Sequence, residues 1–145
     1  MRNEKWEDVR VMARTILAGL LAAGVAWAVN RWLVGTWGNR VITGLVPLVE
    51  EVVKTGLAVG MGVNILPVHT VFGAVELVSD FASPRPPAKS IPAGALALAG
   101  HLLFGYLTAA GYTATGRWWW GLVAGIAVHL TWNTLAVKVS RRFSG

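Results

Sequence analysis

The stretch Pro47-Leu48-Val49-Glu50-Glu51-Val52-Val53-Lys54 places two carboxylates and an ammonium group inside the apolar run of residues 41–66. Each charge near the middle of a membrane helix costs about 2.5–3.5 kcal/mol. A chain that keeps such charges side by side must offset that cost by pairing, by protonation or by contact with water, so the stretch predicts a functional site. On a helix, Glu50 and Lys54 lie one turn apart and are able to pair. Glu51 lies about 100° further round, so the two carboxylates are expected to have different roles.

The composition indicates an integral membrane protein. Hydrophobic residues make up 54% of the 145 residues and charged residues only 14%, whereas a soluble domain carries about 25% charged residues. The absence of cysteine excludes disulfides, thiol nucleophiles and cysteine-ligated zinc. The sequence has no dense basic run with interleaved aromatic residues, so the predicted partner is the lipid bilayer and not a nucleic acid.

The apolar stretches predict an all-α fold, a single membrane domain over residues 1–145 that forms a polytopic transmembrane bundle of about five helices. The predicted spans cover residues 11–29, 41–61, 65–81, 92–113 and 119–137. Gly62-Val63-Asn64 indicates a tight turn, and Gly56, Gly60 and Gly62 are spaced for close contact between helices. Proline density predicts a loop through residues 83–90, with Pro92 in the first turn of the following helix.

Polar side chains recur inside four of the apolar segments. A lone polar residue in a membrane helix is about as often packing glue as part of a site, since such hydrogen bonds contribute about 0.6 kcal/mol on average. A set spread over four segments favours a common site instead. The members of this set are Glu50, Glu51, Lys54, Glu76, His101, His129 and Asn133.

Two further polar residues of the third span are weighed separately. His69 shares a helical face with Phe72 and Glu76, but a histidine near a helix end is more often interfacial or bonded to backbone. Asp80 is predicted to be a solvated cap or a partner for Arg85, because it lies next to the proline-rich loop.

Four short motifs resemble those of the PrsW-type membrane proteases. Glu50-Glu51-x-x-Lys54 resembles the first motif of that family, and Phe72-x-x-x-Glu76 resembles the second. His101 is similar to the lone histidine of the third motif, and His129-x-x-x-Asn133 resembles the closing one. PrsW belongs with the CAAX-prenyl endopeptidases, the Abi proteins and the APH-1 proteins in one superfamily. Members of the CAAX branch usually show Glu-Glu-x-x-x-Arg and Phe-x-x-x-His, so this chain is nearer to PrsW.

The resemblance implies an intramembrane endopeptidase that hydrolyses a peptide bond of a membrane-anchored protein or peptide in a prokaryotic cell membrane. It implies that Glu50 activates a water molecule as general base and then serves as acid. Glu76 would orient that water or bind a metal, and His129 and Asn133, on one helical face, would donate to the oxyanion.

The remaining motif residues have supporting roles by the same resemblance. His101 would bind a metal, orient Glu51 or shape the cavity. Glu51 and Lys54 would hold the active helix in position, and Phe72 would support the second motif.

The sequence leaves a cofactor open. Glu76, His101 and His129 are candidate ligands for Zn²⁺ with an open position for water. The spacing His-Glu-x-x-His, which makes zinc a confident assignment, is absent. A metal-free glutamate mechanism explains the same residues, so a site without tightly bound metal is slightly favoured.

Two other functions use the same polar residues. A non-catalytic scaffold of the APH-1 kind would use them to fix helix packing. A small proton- or ion-coupled transporter would use buried glutamate and histidine as a relay. The chain has no internal repeat and no matched pair of broken helices, which argues against transport.

Overall fold

The computed structural model describes residues 2–84 and 86–142, which form five α-helices and no strand. A 3₁₀ segment, Gly38–Thr43, connects the first helix to the second. The all-α bundle of about five helices predicted from the sequence is therefore confirmed. The helices are α1 (Arg2–Trp37), α2 (Leu45–Gly60), α3 (Ile65–Phe81), α4 (Pro87–Thr115) and α5 (Trp118–Arg142).

Three of these helices, α1, α4 and α5, are long and apolar enough to cross a membrane. Large apolar side chains such as Leu20 and Val123 remain exposed on their surfaces, as expected where lipid is the solvent. The chain is thus a membrane protein. Helices α2 and α3 have 16 and 17 residues, or about 24 and 26 Å, against an apolar bilayer core of about 30 Å. The count of five spans stays a prediction.

The connection between α2 and α3 follows from local chemistry. Gly62 has a φ of +65°, a conformation that glycine adopts without a steric penalty, and the predicted tight turn is found there. Pro47 and Pro67 each occupy the third position of their helix, where the missing N–H has no partner to lose. Each proline is therefore accommodated in the first turn of its helix without loss of a backbone hydrogen bond.

The proline-rich connection before α4 is shorter than predicted. Helix α4 begins at Pro87, because a proline at the first helical position lacks only an N–H that would be unpaired anyway. The predicted loop over residues 83–90 was therefore too long, and Pro92 lies inside the helix and not in its first turn. The predicted pairing of Asp80 with Arg85 falls on a residue outside the described ones.

The glycines that allow close helix contact are not the predicted ones. A Cβ added at Gly56, Gly60 or Gly62 would meet nothing within 4 Å. A Cβ at Gly111 would instead lie 2.9 Å from Cα of Gly121, so α4 and α5 approach closely at that point. Spacing along one helix does not reveal which face meets a neighbour, and this explains the error.

Helix α2 buries one face in the bundle and leaves Leu48 and Val52 exposed on the other. It packs against α1, α3 and α5, while α3 packs along α4 and α4 along α5. The buried side of α2 includes Glu50, Glu51, Lys54 and Thr55. The charged stretch of α2 therefore lies at the centre of the fold.

Candidate functional site

The charged side chains of α2 face the interior of the bundle, and Glu50 has different partners from Glu51 and Lys54. Glu51 and Lys54 are fully buried, and Glu50 is 5% exposed. Nζ of Lys54 donates to Oε1 of Glu51 at 2.6 Å. The pairing is thus one of residues i and i+3, and not the expected pairing of Lys54 with Glu50. Oε1 of Glu50 instead accepts a hydrogen bond of 2.7 Å from Nδ2 of Asn30 on α1.

Lys54 also fixes the protonation of His101 on α4. Nζ of Lys54 lies 2.9 Å from Nδ1 of His101. An ammonium group only donates, so Nδ1 accepts and the neutral imidazole carries its proton on Nε2. Nε2 donates in turn to Oε2 of Glu76 on α3, at 2.6 Å. The charge pair at the centre of the bundle thereby orients a carboxylate on another helix.

Glu51 orients His129 on α5 in the same way. Nδ1 of His129 and Oε1 of Glu51 are 2.8 Å apart, so the ring donates from Nδ1 to the carboxylate. The neutral imidazole then has its lone pair on Nε2. That nitrogen lies 3.7 Å from Oε2 of Glu50, which is too far for a hydrogen bond. Nε2 of His129 and Oε2 of Glu50 therefore face each other without a hydrogen bond.

Glu50, which faces His129, and Glu76, which is bonded to His101, lie close to each other. Each carboxylate has an oxygen that lies within 4.8 Å of the other and of a ring nitrogen of His101. The side chain of Glu76 is 38% exposed, in contrast to the fully buried Glu51. The network is therefore closed around Glu51 and open between Glu50 and Glu76.

Two clefts lead to this opening. The α1 cleft, of about 530 Å³, lies between α1, α2 and α3 and includes Trp27, Arg31 and Phe72 in its lining. The α5 cleft, of about 490 Å³, lies between the 3₁₀ segment and helices α2, α3, α4 and α5. Glu50 and Glu76 are the two residues that line both clefts. These carboxylates are thus approached from two sides of the bundle.

Aromatic rings form the walls beside the network. Nζ of Lys54 lies 4.6 Å from the ring centroid of Phe72, within the range of a cation–π contact. Phe104 stacks on His129 with centroids 4.2 Å apart. These rings limit the positions that Lys54 and His129 are able to adopt. Phe72 was predicted to support the site, whereas Phe104 was not.

Asn133 lies beside the site and contacts it differently from the expectation. It lines the α5 cleft, but its Nδ2 donates to the carbonyl oxygen of Ile42 in the 3₁₀ segment, at 3.2 Å. The amide expected to serve an oxyanion thus holds the chain entering α2 in place. His129, the other expected donor, has a lone pair on the nitrogen that faces Glu50.

Two residues of the cluster were underrated or missed in the sequence. His69 is fully buried, with Nδ1 3.8 Å from Oε2 of Glu51, although its place near the start of a helix favoured an interfacial role. Asn30 was missed because the predicted first span ended at residue 29. The only signal was a short amide that continues the apolar run without a break.

The hydrogen bonds at the opening do not suit a bound metal ion. Glu50, Glu76 and His101 are close enough to share an ion. However, Nδ1 of His101 accepts from Lys54 and Nε2 donates to Glu76, so neither ring nitrogen has a free lone pair. The ammonium of Lys54 also places a positive charge next to that ring. Zinc at this position would require the network to rearrange.

Comparisons with protein-family models, with curated proteins and with solved structures find no match for this chain. The resemblance to PrsW-type proteases therefore rests on the four motifs and their order in the sequence.

Proposed function

We propose that this chain is a membrane-embedded endopeptidase that hydrolyses a peptide bond of a membrane-anchored protein or peptide in a cell membrane. The observation that supports it best is the close approach of Glu50 and Glu76, the two residues that line both clefts. Nε2 of His129 lies 3.7 Å from Oε2 of Glu50. Carboxylates in an accessible cavity of a membrane protein cost free energy. Activation of a water molecule is a function that would explain their presence. The order of the four motifs is consistent with this activity.

In the proposed reaction, a water molecule between Glu50 and Glu76 donates its protons toward the two carboxylates. Glu50 removes one proton as the water oxygen attacks the carbonyl carbon of the substrate. A tetrahedral intermediate forms, and its oxyanion is stabilised by Nε2–H of His129 when that ring is protonated. Glu50 returns the proton to the leaving nitrogen, and the C–N bond breaks to give a carboxylic acid and an amine. The remaining proton of the former water then passes from the acid to the released amine, which leaves a carboxylate and an ammonium group.

The other charged residues act as positioning residues in this scheme. Glu51 holds the ring of His129 through Nδ1, and Lys54 holds both Glu51 and His101. His101 in turn donates to Glu76. His101 thus holds Glu76, and Asn30 holds Glu50, so the two carboxylates at the opening are oriented for the substrate at little further cost in entropy.

The test is cleavage of a pooled library of membrane-anchored peptides by purified protein in liposomes, read by mass spectrometry. Glu50→Gln should lower cleavage by at least about 100-fold, because the general base is lost. Glu7→Gln, an exposed glutamate paired with Arg10, is the matched control and should cleave like the unmodified protein. A parallel arm with a chelator should leave cleavage unchanged.

The scaffold function has an observation of its own, namely the full burial of the pair Glu51–Lys54. If the unmodified protein cuts no peptide in a broad library while both variants stay folded, the scaffold becomes the better explanation. Proton flux into liposomes that is lost with Glu76→Gln would indicate a transporter instead.

A further inference from the structure

The two clefts that meet at Glu50 and Glu76 differ in charge. The lining of the α1 cleft includes Arg31 as its one lysine or arginine. The lining of the α5 cleft has no lysine or arginine and is largely apolar, with Val46, Leu96 and Trp132 among its residues. A ligand that occupies both clefts therefore meets a cation in the α1 cleft and largely apolar walls in the α5 cleft.

Arg31 is well placed to receive an anion. Its guanidinium carbon lies 5.7 Å from the ring centroid of Trp27, one turn earlier on α1, so the two side chains line the cleft together. Within the described part of the chain, no salt bridge joins Arg31 to a carboxylate. A guanidinium group matches a carboxylate with two parallel hydrogen bonds. The donors of Arg31 are thus available to a ligand in the α1 cleft.

We infer that the substrate lies across both clefts as an extended segment with a carboxylate at Arg31 and apolar side chains in the α5 cleft. This inference rests on the proposed function, since the bond to be cut lies between Glu50 and Glu76. The central carboxylates disfavour an acidic group near the bond and in the α5 cleft, because like charges repel. The α1 end is then the place along the groove where an acidic group is favoured. The carboxylate belongs either to an acidic side chain or to a chain terminus.

A different ligand for Arg31 is a lipid phosphate, since arginine beside tryptophan often lies at a membrane interface. The two ligands differ in what the rest of the groove recognises. If Arg31 binds a peptide carboxylate, its effect on binding depends on the peptide sequence. If Arg31 binds a lipid phosphate, its effect depends on the lipid composition alone.

The experiment measures binding of fluorescent peptides to protein that carries Glu50→Gln, so that bound peptide is not cut. The peptides share one apolar segment and carry glutamate, glutamine or lysine at each of several positions beyond it. A second pair compares a free terminal carboxylate with a terminal amide. The proteins tested carry Arg31, Arg31→Gln or Arg31→Glu, and Arg14→Gln on the same helix is the matched control, because Arg14 is exposed and lines neither cleft.

With Arg31, the best acidic peptide should bind about tenfold more tightly than its amide counterpart, the expected size of one charge-assisted pair. Arg31→Gln should remove this preference, and Arg31→Glu should transfer it to the lysine peptide. Arg14→Gln should leave it unchanged. The side-chain and terminal arms identify which carboxylate is bound.

Equal binding of acidic and amide peptides would overturn the inference, even if the unmodified protein cleaves them. Absence of peptide binding would overturn it as well, as would an effect of Arg31 that follows anionic lipid and not the peptide. If the charge preference is found but the unmodified protein cuts no peptide, the groove stands and the proposed hydrolysis fails. The two ideas are thereby tested separately.

Discussion

Glu50 and Glu51 are neighbours in the chain but lie in two different regions of the molecule. In the closed region, Oε1 of Glu51 accepts hydrogen bonds from Lys54 and His129, and the side chains of Glu51 and Lys54 are fully buried. The open region, between Glu50 and Glu76, faces two clefts, and Oε2 of Glu50 there lies 3.7 Å from Nε2 of His129, too far for a hydrogen bond. The difference teaches that two adjacent carboxylates on one helix meet different surroundings. Under the proposed function, Glu51 would maintain the geometry and Glu50 would take part in the chemistry.

The largest expected effect comes from breaking the closed region. Lys54→Met removes the ammonium that pairs with Glu51 and would leave that carboxylate buried without its cation. Such changes cost about 3–5 kcal/mol of stability. Unfolding in bicelles or mild detergent, followed by circular dichroism, measures the loss. The double variant Lys54→Met/Glu51→Gln should recover much of it, because the unpaired charge is gone. Unchanged stability of Lys54→Met would remove the distinction between the two regions.

A smaller effect is expected from crowding the closed region without changing a charge. A Cβ at Gly125 on α5 would overlap with Oγ1 of Thr108 and lie 3.0 Å from Oε2 of Glu51. Gly125→Ala should therefore lower stability by about 1–3 kcal/mol and reduce cleavage by displacing Glu51. Gly56→Ala is the matched control, since a Cβ there meets nothing within 4 Å. It should be neutral or stabilising by up to about 1 kcal/mol. Equal effects of both changes would contradict the packing around Glu51.

The smallest effect on stability is expected in the open region. Asn30→Ala removes the single hydrogen bond to Oε1 of Glu50, which should cost about 0.5–1.5 kcal/mol. Because Glu50 would then be less well oriented, cleavage should fall more clearly than stability does. Parallel unfolding and cleavage measurements on this variant and on Gly125→Ala compare the two regions directly. A large loss of stability with Asn30→Ala would show that Glu50 also belongs to the structural core.

Much of the site could be predicted because charge in an apolar segment is rare and costly. Glu50, Glu51, Lys54, Glu76, His101 and His129 were selected on that ground, and the bundle brings them together. Asn30 could not be selected, because an amide at the end of an apolar run is ordinary in a membrane protein. Asn133 was selected, but its amide bonds to the backbone of Ile42, a partner that no spacing rule reveals.

The sequence by itself determined that this protein is surrounded by lipid and that charged residues lie at the centre of the bundle. Apolar runs require lipid around them, and helices satisfy the backbone there, so the helical bundle and its costly charges follow from composition and order. Only the tertiary structure decided the partners. Helical spacing allowed Lys54 to pair with Glu50, but contacts from α4 and α5 direct it to Glu51. Glu50 is left facing the clefts. Hydrogen bonds between helices depend on how the helices pack against each other, and the sequence of one helix does not encode that packing.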